Sequence, residues 1–293
     1  VASRGWVARR RLPYHDGMPS SLPPIPAVTN IDQVIAAIQG IVDWSIVEQS
    51  RLGYFAALYK RITIAIKLGI AQGLFDDGPR MERFDVTFAS RYFAALNGYF
   101  HPTQYPDVSR CWRVAFEAAL EAPPILMQHM LAGVNAHIDL DLGIAAEAVA
   151  PGKTIDTLHH DFNTVNAVLS SQVSTVVMQL DTLSPVLADI YKVLMQYEMD
   201  LIAEGLVIVR NDAWRFAKLL AATPGFVDPA VIAVRDLKVA ELGKLILRPP
   251  GFLERIVELI AAQESRDIVK NIRVLDAMAE TPAPMTKTAA AMI

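Results

Sequence analysis

Five of the six histidines of this 293-residue chain lie between His101 and His160, and four fall within residues 129–160. The first cluster reads Gln128-His129-Met130-Leu131-Ala132-Gly133-Val134-Asn135-Ala136-His137-Ile138-Asp139-Leu140-Asp141. At ~100° per residue, His137 lies ~80° round a helix from His129, and Asp141 a further ~40°. These three side chains then share one arc of a single helix. His137 and Asp141, four positions apart, are spaced to bind one metal ion or to let a carboxylate orient an imidazole. Asn135 and Asp139 repeat that spacing on a face turned away from the first. Across a short loop follows Asp156-Thr157-Leu158-His159-His160-Asp161-Phe162-Asn163. Adjacent helical residues diverge by ~100°, so one of His159 and His160 is expected to face inward.

If the two helices are antiparallel neighbours, His129, His137, Asp141 and His160 become candidate ligands for zinc, iron or manganese. A bound ion would lower the pKa of a water, and His159 or Asp161 would accept its proton, giving hydrolase-like chemistry. The same residues also admit a buried polar network without metal, or scattered exposed groups. Gly133 weakens the helix by about 1 kcal/mol relative to alanine, which is tolerable where another helix or a ligand must approach closely. Two charged clusters, Glu82, Arg83, Asp85 and Arg91, then Arg210, Asp212, Trp214 and Arg215, read as helix-surface pairs or interhelical salt bridges. They would support the site if they converged with the histidines. His101, before Pro102, is expected in an exposed loop. No GxSxG, P-loop, GxGxxG or CxxC pattern occurs, so no nucleotide cofactor is expected.

Composition narrows the class. Lys and Arg total 27 against 31 Asp and Glu, a formal charge of -4 that argues against nucleic acid as a partner. The hydrophobic fraction is 53% and the mean hydropathy +0.29, high enough for a large core and for apolar surface covered by a partner or a lipid. No run approaches the ~20 apolar residues of a membrane span, although a membrane-associated assembly stays open. Cys111 is the single cysteine, which excludes an intrachain disulfide and reads as a buried, inert thiol. No signal peptide is evident, from which a cytoplasmic location is expected. The start at Val1 points to processing or truncation.

The elements that must position the cluster are helical. Residues 1–29 form an arm with Arg4, Arg9, Arg10 and Arg11, then five prolines between Pro13 and Pro26 that favour extended backbone. Asn30 with Gln33 resembles a capping box, and apolar residues follow at helical spacing to Val42. Further stripes run through Phe55–Ile66 and Met81–Ala95. Ser109 is the expected cap of a fourth helix, and a fifth runs from Pro124 to Pro151-Gly152. Thr154 opens a sixth to about Leu183. Ser184-Pro185 and Asp228-Pro229 start later helices, with breaks at Thr223-Pro224-Gly225 and Arg248-Pro249-Pro250-Gly251. No alternating β pattern longer than a few residues occurs, and Leu206–Val209 reads as helix. The expected fold is all-α, an irregular bundle of about eight to ten helices over residues 30–280, with extended arms at 1–29 and 281–293.

Arg51-Leu52-Gly53-Tyr54-Phe55-Ala56-Ala57-Leu58-Tyr59, Asp77-Gly78-Pro79-Arg80-Met81-Glu82-Arg83 and Gln128 through Gly143 resemble an uncharacterised, mainly bacterial family of unknown function. Asp161-Phe162 and Asn211-Asp212-Ala213-Trp214-Arg215 look like later motifs of that family. The resemblance covers about residues 30–250, implies an all-helical fold and carries no activity with it. His137-x-x-x-Asp141 is also distantly similar to helices of the zinc-dependent phospholipase C and S1-type nuclease group. The chain lacks that group's second His-x-x-x-Asp pair and N-terminal tryptophan ligand. Two functions are therefore expected to compete. One is a metal-dependent enzyme. The other is a non-catalytic subunit whose arms, residues 1–29 and 281–293, hold a protein partner.

Overall fold

The computed structural model describes residues 21–121, 124–196 and 201–283, leaving aside the side chains of 170, 173–175, 177–179, 194–196 and 201–203. Within these residues the chain is helical and contains no strand. The order is α1 (Ile31–Val47), α2 (Leu52–Ala71), α3 (Gly78–Phe100), α4 (Arg110–Ala118) and α5 (Leu126–Ala136), then a π-turn (His137–Asp141) and α6 (Leu142–Val149). After them come a 3-10 stretch (Gly152–Leu158), α7 (His159–Gln179), a second (Leu180–Thr182), α8 (Pro185–Gln196), α9 (Leu201–Ala222), α10 (Asp228–Leu247), α11 (Phe252–Ala261) and α12 (Ile268–Ala279). The all-α reading holds. The helix expected from Pro124 to Pro151 is one rod interrupted by a π-turn, and the one expected from Thr154 to Leu183 has 3-10 ends. Leu206–Val209 lies inside α9.

Local sequence explains most starts and stops. Asn30 accepts from the Gln33 amide at 2.9 Å, while the Gln33 side chain reaches one residue further back, to the Thr29 amide at 2.8 Å. Asp77 caps α3 through the Arg80 amide, with Pro79 in the first turn, and Pro229 plays that part in α10. Ser109, the expected cap of α4, makes no capping bond. Asp236 on α10 does that work from outside, accepting the Arg110 and Cys111 amides at 2.8 and 2.9 Å. A carboxylate from a distant helix is the stronger acceptor for the positive end of α4, and the serine hydroxyl instead meets the Cys111 thiol at 3.5 Å.

α2 lies at the centre, packed on α1, α3, α5, α7 and α12. The rod formed by α5, the π-turn and α6 crosses it, touching α4 and α10 with its first half and α3 and α9 with its second. Gly133 marks the crossing. A Cβ there would sit 2.4 Å from Phe55 Cγ, so the residue that approaches the helix backbone is an aromatic ring of α2.

The described parts of both arms lie on their own domain. Leu22 and Ile25 are buried, and the Asn97 side chain bonds both the amide and the carbonyl of Ile25 at 2.9 Å. His101 Nε2 donates to the Leu22 carbonyl at 2.7 Å, so this histidine is a half-buried clamp and not the exposed loop residue expected from sequence. At the other end Ala283 exchanges two hydrogen bonds with Gln172 of α7. Residues 21–29 and 281–283 thus extend the domain, and residues 1–20 and 284–293 of the expected arms lie outside the described residues. No helix among the described residues is long and apolar enough to cross a membrane.

In an open helix Gly133→Ala would gain about 1 kcal/mol from propensity alone. Here the overlap with Phe55 reverses the sign, and a loss of about 1–3 kcal/mol in urea unfolding is expected. Combining it with Phe55→Leu should recover part of that loss; purely additive effects would refute the contact as the cause.

Candidate functional site

The π-turn brings His137 and Asp141 together. His137 Nδ1 lies 3.3 Å from Asp141 Oδ2, which also accepts from the Trp112 indole at 2.8 Å, while Oδ1 accepts from Arg91 Nε at 2.9 Å. Burial pushes the Asp141 carboxyl up, but the His137 bond and the Arg91 guanidinium outweigh it and hold the group below its ordinary range. Burial also lowers His137, against the opposing pull of Asp141, so the imidazole is neutral at pH 7. Because an ionised carboxylate only accepts, the ring proton sits on Nδ1 and the lone pair on Nε2. Phe88 stacks on the imidazole with ring centres 3.5 Å apart, and Tyr59 meets it edge-on at 4.6 Å. His137 Nε2 is buried and has no hydrogen-bond partner among the described residues.

The other sequence candidates lie elsewhere. His129 is eight residues from His137, which is ~12 Å along the rod; the angular argument put them on one arc but ignored the rise. Its ring meets Tyr54 edge-on, and burial, helped by Arg51, takes its pKa down to about 4. His160 is 69% exposed and 3.8 Å from Asp76. Phe162, Val165 and Leu169 define the buried face of α7, and a residue two positions before Phe162 points away from it. His159 is also exposed, stacked on Trp214 at 4.6 Å. Asp161 is fully buried and accepts from the Asp76 and Asp77 amides, at 2.6 and 3.2 Å, and from Arg80 Nη2 at 2.9 Å. It anchors the turn that starts α3, and those bonds occupy both oxygens. The expected catalytic pair His159 and Asp161 is therefore a surface stack beside a structural anchor.

The expected metal set His129, His137, Asp141 and His160 does not converge, and no three His, Cys, Asp or Glu side chains among the described residues form a metal-binding group. The donor chemistry of the pair that does meet is also unsuited to a cation. Both Asp141 oxygens are taken by N–H donors, one of them a guanidinium. Asn135 and Asp139, on the opposite face, bind α10: Asn135 donates to the Val239 carbonyl, and Arg235 donates to the Asp139 carbonyl and lies 3.5 Å from its carboxylate.

His137 faces a cavity of about 120 Å³ lined by α2, α3, the rod, α7 and α9. Its wall is almost wholly apolar, with Ile62, Phe84, Phe88, Ile138 and Leu169 prominent. Three further polar side chains line it, among them Tyr59, whose buried hydroxyl has no hydrogen-bond partner among the described residues. Asp85 makes no hydrogen bond through its buried Oδ2 among the described residues, and burial beside Glu82 raises its pKa to about 7. Arg210 projects from α9. Arg91, Asp85 and Arg210, read from sequence as surface pairs, thus gather around His137, whereas Trp112 carried no sequence signal for the site.

The profile of DUF5995, a family of unknown function, matches residues 31–249. The chain belongs to that family. No curated protein and no solved structure matches it. The matched region spans α1 to α10 and so contains every residue of the His137 site.

The folded pKa of Asp85, about 7, lies above the ordinary 3.8, so its contribution to stability is present at low pH and is lost as pH rises through about 7. An asparagine does not titrate. Asp85→Asn should therefore gain on wild type by about 1.4 kcal/mol per pH unit between pH ~4 and ~7. Urea unfolding of both proteins at pH 5 and pH 7 measures this, and a difference independent of pH would sink the assignment.

Proposed function

We propose that this DUF5995 protein binds an apolar small molecule in the α2–α3–α7–α9 cavity, and that His137, oriented by Asp141, acts on it as a general base. The observation that carries this reading is a set of three buried polar atoms, His137 Nε2, Asp85 Oδ2 and Tyr59 Oη, left without partners among the described residues on a largely apolar wall. Most buried polar atoms in folded proteins are satisfied, so three orphans gathered around one cavity point to a ligand that completes them. A neutral imidazole with a free Nε2 and a carboxyl titrating near pH 7 form an acid–base pair suited to moving a proton to and from a bound group. The volume is close to the ~150 Å³ of cavities that hold a benzene ring. The hydrolase-like expectation becomes, in this reading, metal-independent acid–base chemistry.

Toluene and benzyl alcohol test the cavity directly. If the dissociation constant is ~1 mM, 10 mM ligand contributes about 1.4 kcal/mol and raises Tm by about 3 °C. Benzyl alcohol should bind more tightly than toluene, and His137→Phe should erase that preference. Val165→Phe should fill the space and abolish both shifts while the protein stays folded. No shift with either compound in wild type would overturn the proposal.

A second reading, docking onto a protein partner, draws on the exposed apolar side chains Phe252, Leu253 and Leu259 of α11. Its test is the double variant Phe252→Ser, Leu259→Ser, which removes that exposed apolar surface of α11. A loss of assembly by sedimentation, with the helical fold intact, would support it.

A further inference from the structure

Arg210 is 3% exposed and lies on the cavity wall, yet no carboxylate is paired with it among the described residues. Its Nε donates to Asn166 Oδ1 at 2.5 Å and its Nη2 to the Phe162 carbonyl at 2.6 Å, and the guanidinium lies 4.4 Å from the centre of the Phe162 ring. All three partners are neutral. Other enclosed cations of this molecule are treated differently. Lys60 is met by Asp276 and Glu280, Arg80 by Asp161, and Arg235 by Asp139 and Asp212. Arg61 is also buried without a carboxylate, but it donates to the Met278 carbonyl at the C-terminal end of α12, where the helix dipole supplies negative charge. Arg210 receives no such help, because Phe162 stands in the first turn of α7, at the positive end of that dipole.

Enclosing a guanidinium without a counter-charge is costly, and burial pulls its pKa down to about 9, leaving it charged at neutral pH. We propose that the cavity ligand is an apolar monocarboxylic acid whose carboxylate is the missing partner of Arg210, while its aryl or short alkyl body fills the apolar space. This deepens the small-molecule reading and rests on it. The planar guanidinium fork matches a carboxylate, and among the described residues the wall offers no second cation for a dicarboxylate or phosphate.

Titration calorimetry of the full chain with benzoate, benzyl alcohol and toluene separates the two claims. Benzoate should bind wild type at least tenfold more tightly than benzyl alcohol. Arg210→Met should remove that preference while retaining toluene, and Arg210→Lys should keep part of it. Toluene and benzyl alcohol binding without a benzoate preference in wild type would overturn the carboxylate inference and leave the cavity reading standing. Failure of all three to bind would overturn both. The wild-type comparison decides the matter even if Arg210→Met does not fold.

Discussion

A carboxylate buried at the centre of a helical protein must be matched on both oxygens, and Asp141 imposes that constraint here. It is 1% exposed, and its partners come from three directions: Arg91 on α3, Trp112 on α4, and His137 one turn back on its own rod. Losing any one would strand a charge or a donor in a low-dielectric interior, at about 1–3 kcal/mol for each unsatisfied group. The positions of α3 and α4 against the rod are therefore coupled through one side chain. The π-turn sits at this junction. On its opposite face Arg235 donates to the Asp139 carbonyl, so the irregular turn is held from both sides. Such turns recur at functional sites because a wider turn re-aims side chains that a regular helix would leave elsewhere.

The same principle operates at helix ends. Asp236 satisfies the start of α4, Asp161 the turn before α3, Glu264 the Leu126 amide of α5 and Glu82 the Ile31 amide of α1. Gln128 works at the other polarity, donating to the Ile246 and Leu247 carbonyls at the end of α10. Each bond satisfies an orphan backbone group with a side chain from a distant part of the chain, so capping and tertiary packing form together. This accounts for several buried acidic residues without invoking chemistry, Asp161 among them. Other buried polar atoms among the described residues still lack partners, and three of them, His137 Nε2, Asp85 Oδ2 and Tyr59 Oη, share one cavity.

Sequence was most informative where the controlling physics is local. Proline and glycine breaks at Ser184-Pro185, Thr223-Pro224-Gly225 and Arg248-Pro249-Pro250-Gly251 fall where helices end or begin, because those residues restrict backbone dihedrals wherever they occur. The His137–Asp141 contact was legible for the same reason, as four residues span about one turn of helix. Gly133 was recognisable as a close approach, but not the Phe55 ring that makes it. The failures share a cause: they depend on distances between helices. His129 shares an arc with His137 and is still removed from it by axial rise. Ser109 had the right residue type for a cap and lost to Asp236. The roles of Asp85 and Arg210 are set by what α3 and α9 enclose together, and no spacing along either helix encodes that.

Arg210 shows why the cavity and its polar groups are best understood as one device. An apolar core without ligands would be more stable with methionine or leucine at that position, since replacing a buried charge by a well-packed apolar group is commonly neutral or stabilising. The asparagine and carbonyl that receive its N–H groups orient the guanidinium without neutralising it. Nor does the carboxyl of Asp85 compensate it: the raised pKa of Asp85 reflects burial and Glu82, with no relief from a neighbouring cation. A carboxyl and a guanidinium on one apolar wall, each enclosed and neither pairing with the other, gain nothing for the empty fold. A bound apolar carboxylate would change that balance, its carboxylate meeting Arg210 and its apolar body filling the space beside Asp85 and His137.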